Sequence, residues 1–392
     1  MVHFMPGNMV TLLENGAAYF QDLEKAIDQA EYELFLQTYI FENDATGYRI
    51  TKALKRAAVR GVNVYLLIDG YGSKDLPQSL LNDLKISKIK VLIFSPKISP
   101  WSFHRRRLRR MHWKITVVDL KVAFVGGINI IDDYCKSVDG LLPRFDYAVA
   151  LKGPLVEEVR ISAKRQWSMV SMRQLRQKID YKKIPRGSSF TKGQMEAAFL
   201  VRDNFRHRRS IERAYLQAIC KAQSEIILAS AYFLPGRTFR RALTDATKRG
   251  VKVVLLLQGR GEYCLQHYAT RALYSEFLHA KIVIYEYQKS FLHAKVAVID
   301  GHWATIGSSN LDPFSLLLSR EANVIVDHPA FAKNLRQSLK KTIATDAVRI
   351  ESRSWAHRST SLRILSWISY GLLRYMTAIS GYSHDRPGPR NS

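Results

Sequence analysis

The sequence predicts an α/β protein made of two copies of one βαβ-rich lobe, and three observations carry that prediction. Its 392 residues exceed the roughly 250–300 at which a single core usually divides. With 47% hydrophobic and 11% aromatic residues, the chain has ample apolar surface to fold. The same strand–helix–strand pattern then occurs twice, and a short polar signature recurs at a constant separation.

The first pattern runs from Glu33 to Phe41 and from Leu54 to Asp69, the second from Glu225 to Phe233 and from Leu243 to Gln258. Each reads as a buried strand, a helix of amphipathic spacing and a second apolar strand. Arg60-Gly61 and Arg249-Gly250 close the two helices, because glycine accepts the left-handed conformation that ends a helix. Such βαβ units build parallel sheets.

Further along, His112-Trp-Lys114-Ile-Thr-Val-Val-Asp119 is matched by His293-Ala-Lys295-Val-Ala-Val-Ile-Asp300, and Gly126-Gly-Ile-Asn129 by Gly307-Ser-Ser-Asn310. The separation is 181 residues for each pair (112 to 293, 119 to 300, 129 to 310), which marks an aligned duplication. His and Lys two apart on an alternating apolar run project from one face of a strand, and Trp113 or Ala294 from the other. A look-alike, His279-Ala-Lys281, ends in Glu286 with no Gly-Ser-x-Asn behind it and reads as structural.

The expected division is a first lobe at 1–171, a basic linker at 172–192, a second lobe at 193–350 and a tail at 351–392. Within the tail, residues 361–379 form an amphipathic helix whose polar stripe is Arg363, Ser366, Tyr370, Arg374 and Thr377. Its wide apolar face suits either a membrane interface or the protein's own core. Cys135, Cys220 and Cys264 are odd in number and unpaired in spacing, which argues against a disulfide framework or structural zinc and for a reducing compartment. The N-terminus lacks a signal-peptide pattern and no run of about 18 apolar residues follows, so neither export nor a membrane span is expected.

Sixty Lys and Arg against 34 Asp and Glu leave a net charge of +26, which attracts polyanions without choosing among nucleic acid, anionic membrane and phosphorylated substrates. The charge is concentrated in His104–Arg110, directly before His112, and in a smaller patch at Arg206, Arg208 and Arg209.

The paired H-x-K-x₄-D motifs, each followed by a Gly-rich turn and Asn, resemble the phospholipase D superfamily. The flanks Tyr39–Asp44, Ala231–Pro235 and Tyr285–His293 are similar to those of its bacterial cardiolipin synthases, above all the B type, which lacks the two N-terminal membrane spans of other members. The resemblance extends from Gly7-Asn8 to Glu321. It implies two phospholipase D-like lobes related by a pseudo-twofold axis, with both histidines in one shared active site. Trp113, between His and Lys, and Leu120, after the first Asp, depart from the usual pattern and bear on local packing.

Two histidines facing one phosphodiester can divide the work, one attacking phosphorus and the other moving the proton of the alcohol. By resemblance the nucleophile is His112 and the general acid/base is His293, although the sequence itself is symmetric. Lys114 and Lys295 supply charge to the non-bridging oxygens, with Asn129, Asn310 and Ser308 as neutral donors. Asp119 and Asp300 complete the motifs but stand where they would hold strand ends. Glu321, with Asp146 as its approximate counterpart, can orient an imidazole. No cofactor and no metal is expected. The resemblance implies transfer of a phosphatidyl group to phosphatidylglycerol, from phosphatidylglycerol or phosphatidylethanolamine, on the anionic cytoplasmic face of the bacterial inner membrane, with no nucleic-acid partner. Hydrolysis of lipid or nucleic-acid phosphodiesters by the same residues, or an inactive scaffold on membranes, are the alternatives.

Overall fold

A computed structural model of the chain describes residues 2–95, 109–137, 140–174, 181, 191–203, 207–260, 264–312, 319–356 and 359–377. The first lobe contains β1 (Met5–Glu14), α1 (Asn15–Asp28), β2 (Glu33–Thr38), α2 (Ala45–Val59), β3 (Asn63–Asp69), α3 (Gln78–Ile86) and β4 (Lys90–Phe94). It continues with β5 (Arg110–Met111), β6 (Lys114–Val118), β7 (Val122–Gly126), the hairpin β8 (Tyr134–Ser137) and β9 (Gly140–Pro143), β10 (Tyr147–Lys152) and α4 (Leu155–Gln174). The second lobe repeats the plan as β11 (Met195–Arg202), α5 (Ser210–Lys221), β12 (Glu225–Ser230), α6 (Arg237–Lys248) and β13 (Lys252–Gln258). Then come α7 (Cys264–Ala272), α8 (Tyr274–His279), β14 (Val283–Tyr287), β15 (Lys295–Ile299), β16 (Trp303–Gly307), β17 (Ser319–Asp327) and a helix at Pro329–Asp346. The described residues end with β18 (Ala347–Arg349), a short helix at Ser352–Ala356 and the C-terminal helix Thr360–Thr377.

Both lobes belong to one continuous sheet of 16 strands, ordered β18-β14-β13-β12-β15-β16-β17-β11-β1-β10-β7-β6-β2-β3-β4, with β5 paired to β17 off this path. Equivalent strands β1 and β11 pair antiparallel at its centre, so the duplicated halves meet across a local twofold. Along this path, parallel pairing is confined to the two flanks, β2-β3-β4 and β12-β13-β14, while the off-path pair of β5 with β17 is also parallel. The strands that follow the motifs pair antiparallel instead. A three-residue turn after Val118 or Ile299 can make only a hairpin, and a hairpin is antiparallel.

Alternation along each strand separates the core into layers. Phe35 of β2 and Ile227 of β12 enter a central cluster shared by both lobes, which α4 and the helix Pro329–Asp346 cover through Trp167 and Leu335. Leu34 and Leu36 turn to the other face, where α1 and α2 close a cluster belonging to the first lobe. Ile226 and Leu228 do the same beneath α5 and α6. At roughly 25 cal/mol per Å² of buried apolar surface, the shared layer is a strong reason for the lobes to fold as one body.

One expectation changes here. α4 runs on to Gln174, past the expected boundary at 171, and Tyr181 packs on Phe35 and Tyr65, so this part of the linker belongs to the first lobe's core. Residues 175–180 and 182–190 lie outside the described residues. The look-alike His279 ends a helix, its Nδ1–H donating to the Ser275 carbonyl at 2.6 Å.

Candidate active site

Each motif is gripped by the opposite lobe. β5, directly before His112, runs parallel to the start of β17, pairing Met111 with Arg320. Leu292, directly before His293, bridges in the same sense to Phe145. The His112 N–H donates to the Arg320 carbonyl at 3.0 Å and the His293 N–H to the Phe145 carbonyl at 2.8 Å. The next residue along each gripping strand is a carboxylate, Glu321 or Asp146, so backbone and ring are held from the same place.

The side-chain contacts cross in the same way. Nδ1 of His112 lies 3.1 Å from both oxygens of Glu321, and Nδ1 of His293 lies 2.6 Å from Oδ2 of Asp146. A carboxylate only accepts, so Nδ1 carries the proton and Nε2 keeps the lone pair in each neutral ring. The carboxylates are sealed, at 0% and 5% side-chain exposure, whereas the imidazoles retain 15% and 22%.

His and Lys do not share a strand as expected. β6 and β15 begin at Lys114 and Lys295, and each histidine precedes its strand because its backbone is committed to the other lobe. The lysines stay close nonetheless. Lys114 Nζ donates to the His112 carbonyl at 2.6 Å, and Lys295 Nζ donates to that of His293. Trp113 is buried away from the pair and donates from Nε1 to Gln37 at 3.1 Å.

Burial and the mutual repulsion of closely spaced bases dominate the electrostatics of this region. Burial lowers the pKa of His112 against the opposing pull of Glu321, and Lys114 lowers it further. Burial and the charges of Lys295, Lys114 and His112 hold His293 well below its ordinary value. Lys114 is pushed down to about 7 by burial, with Glu321 opposing and Lys295 adding to the fall. Asp146 is raised to about 6 by burial, against Lys295 and the Tyr147 N–H. His112, His293 and Lys114 are lowered by burial and by the neighbouring cations, and a phosphodiester anion among them offsets that repulsion.

The remaining predicted residues divide into those at the centre and those that stand apart. Ser308 donates to Glu321 Oε2 at 2.5 Å. The Asn129 side-chain oxygen accepts from the Ile40 N–H at 3.1 Å, while Asn310 is buried at the aligned position. Asp119 and Asp300 are not at the reacting centre. Each stands at the far end of its motif strand, roughly 15 Å along at about 3.3 Å per residue. Asp119 accepts from the N–H groups of Glu31, Tyr32 and Glu33, and Asp300 from those of Gln223, Ser224 and Glu225. Both adopt φ +51°, which Asp tolerates better than most residues. Gly301 follows Asp300 at φ +70°, whereas Leu120 is absent from the left-handed region, so the departure at Leu120 alters only this turn. Of the arginine run, Arg110 lies over the Tyr71 ring at 5.0 Å; residues 104–108, like Arg206, lie outside the described residues.

Three contributors carried no expectation. The Tyr39 ring stands edge-on to His112 at 4.8 Å, with Lys114 Nζ 5.3 Å from the ring centroid. Asp69 Oδ2 accepts the Met111 N–H, and Gln258 Oε1 accepts the Leu292 N–H, both at 2.8 Å. Their signal was available, since both residues end the second strand of their βαβ units. Among the described residues no group of three or more His, Cys, Asp or Glu side chains is arranged to hold a metal ion.

Comparison with known proteins agrees with this geometry. The family model "Cardiolipin synthase, PLD-like domain" matches residues 23–142 and 215–343, one segment for each motif. Cardiolipin synthase B from Shigella flexneri and that from Escherichia coli K12 are each 36% identical over 96% of this chain and 90% of theirs. The minor cardiolipin synthase ClsB of Bacillus subtilis is 26% identical over 94% of this chain and 89% of its own. In fold, the chain is similar to the crystal structure of phosphatidylserine synthase from Haemophilus influenzae Rd KW20. That match has a TM-score of 0.64 at 12% identity and covers 96% of this chain and 95% of that one. Since the family model spans both motif-bearing segments and relatives above one-third identity align along nearly the whole length, the chain belongs to the cardiolipin synthase family of phospholipase D-like proteins.

Proposed function

We propose that the protein is a phosphatidyltransferase that makes cardiolipin by moving a phosphatidyl group onto the glycerol headgroup of phosphatidylglycerol. The donor is phosphatidylglycerol or phosphatidylethanolamine, met on the anionic cytoplasmic face of a bacterial inner membrane. The observation that carries this reading is the crossed pair of Nδ1-anchored imidazoles beside two buried lysines.

In the first half-reaction Nε2 of His112 attacks phosphorus and the bond to the donor's headgroup oxygen breaks. His293, protonated on both nitrogens, gives its Nε2 proton to that oxygen, releasing glycerol or ethanolamine. The negative charge of the phosphodiester between Lys114 and Lys295 raises the proton affinity of His293, which burial and the neighbouring cations otherwise lower. In the second half-reaction His293 takes the proton from a hydroxyl of phosphatidylglycerol, its oxygen attacks phosphorus, and the N–P bond breaks to regenerate His112. Lys114 and Lys295 compensate the charge on the non-bridging oxygens in both steps.

The test is to incubate the purified protein with labelled phosphatidylglycerol, with and without phosphatidylethanolamine, and to separate the lipids. Cardiolipin is the expected product, and its dependence on phosphatidylethanolamine identifies the donor. Phosphatidic acid as sole product would overturn the synthase reading in favour of a hydrolase.

A further inference from the structure

The C-terminal helix is mounted inside out. Ser366, Ser369 and Leu373, spaced three and four apart, are the residues it buries, at 8%, 3% and 2% exposure. It packs against α7, and Ser366 satisfies its own hydroxyl by donating to the Leu362 carbonyl at 2.8 Å. Trp367, Ile368 and Tyr375 point away from the protein at 56%, 62% and 65% exposure, with Ile364, Leu372 and Met376 also exposed. Core packing would turn the broad apolar face inward; here small hydroxyl residues make the close approach and the apolar face is presented outward.

Charge identifies what covers that face. Residues 360–377 contain Arg363 and Arg374 and no acidic residue, within a chain of net charge +26. Apolar side chains, an amphipathic Trp and Tyr, and arginines suit the headgroup boundary of an anionic bilayer. No described helix is long and apolar enough to cross a membrane.

The mounting also ties the helix to the second lobe, which carries His293. α7, on which the helix rests, lines a small cavity through Gln266, His267 and Thr270, together with Tyr232 and Gln258. Gln258 is the residue that accepts the Leu292 N–H next to His293. The helix therefore rests on an element that shares a cavity with Gln258, the residue supporting the segment before His293.

We propose that the helix Thr360–Thr377 is a docking surface that lies in the interface of an anionic phospholipid bilayer and sets the active site against it; this rests on the reading of phospholipids as substrates. The test is flotation of the full chain with phosphatidylglycerol/phosphatidylethanolamine vesicles and with phosphatidylcholine vesicles. The protein should prefer the anionic vesicles. Trp367→Ser combined with Ile368→Ser should weaken partitioning about tenfold or more, leaving thermal unfolding and turnover of detergent-dispersed phosphatidylglycerol unchanged. Arg363→Gln with Arg374→Gln should weaken it several-fold at low salt and little at high salt.

Unchanged flotation of the Trp367/Ile368 variant would overturn the proposal, as would a lowered melting temperature, which would show the face to be packed. A wild-type dimer that this variant converts to monomer without loss of flotation would identify a second copy as the occupant and overturn it as well. Flotation through Trp367 and Ile368 without cardiolipin synthesis would refute the reaction and leave the docking surface standing. Synthesis on vesicles with flotation indifferent to both substitutions would do the reverse.

Discussion

The two lobes hold their histidines by the same backbone geometry and by different side chains. In the second lobe Glu321 reaches His112 while accepting from Ser308. In the first, the shorter Asp146 reaches His293, and the residue aligned with Ser308 is Gly127. A Cβ there would come within 2.3 Å of Asp146 Oδ1. One methylene in the carboxylate thus decides whether the neighbouring turn can carry a hydroxyl. The strand-end acceptors differ in the same spirit, ionisable Asp69 against neutral Gln258. Duplication copied the frame, and the surroundings of the two rings diverged: Glu321 opposes the fall that burial imposes on His112, while for His293 burial and the neighbouring cations act in the same direction.

The comparison is broken most severely by removing either ring. His112→Ala should lower turnover by about ten-thousandfold or more and abolish any covalent phosphoenzyme, whereas His293→Ala should be comparably slow and accumulate it. Denatured-protein labelling with phosphorus-32 donor reads the difference; labelling of the His112 variant would reverse the assignment. In the wild type, kcat/KM should fall on the acid side with an apparent pKa below 6.5. His112 must be neutral to attack, and its pKa is lowered, so the loss appears only as pH drops beneath the ordinary histidine range.

Exchanging the differing residues sharpens the comparison. Gly127→Ser should cost about a hundredfold in kcat, because its Cβ displaces Asp146 and with it the ring of His293. Ser308→Gly should cost roughly five- to tenfold by removing one hydrogen bond to Glu321. Equal losses from both would show that the lobes are functionally equivalent. A smaller effect is expected far from the reacting centre. Asp119→Ala orphans three backbone N–H groups and should cost about 2–3 kcal/mol in urea unfolding, with Asp119→Asn costing less and kcat of the folded protein preserved by both.

Much of this was legible in the sequence because it is local or periodic. The βαβ units follow from apolar runs closed by Arg60-Gly61 and Arg249-Gly250, and the motif pairs follow from a constant separation. The crossing of Glu321 to His112 was not legible. It joins residues 209 apart, and an alignment of the halves pairs Glu321 with Asp146 without saying which ring either one serves. Antiparallel pairing at the centre was hidden for a similar reason, since apolar runs do not show strand direction. The C-terminal helix displayed its amphipathicity in sequence, but periodicity cannot tell which face meets the protein, and the buried Ser366 and Ser369 reverse the usual rule.

The crossed grip also governs when the protein can first act. A ribosome that has just produced His112 must add 209 more residues to reach the end of Glu321, and domains form in the order in which they emerge. Throughout that interval the first lobe carries an imidazole whose tautomer is unfixed and whose backbone N–H lacks the Arg320 carbonyl. The nascent half-protein, or a chain truncated before residue 320, therefore carries a nucleophile with no holder, and competence arrives only once the second lobe closes the sheet.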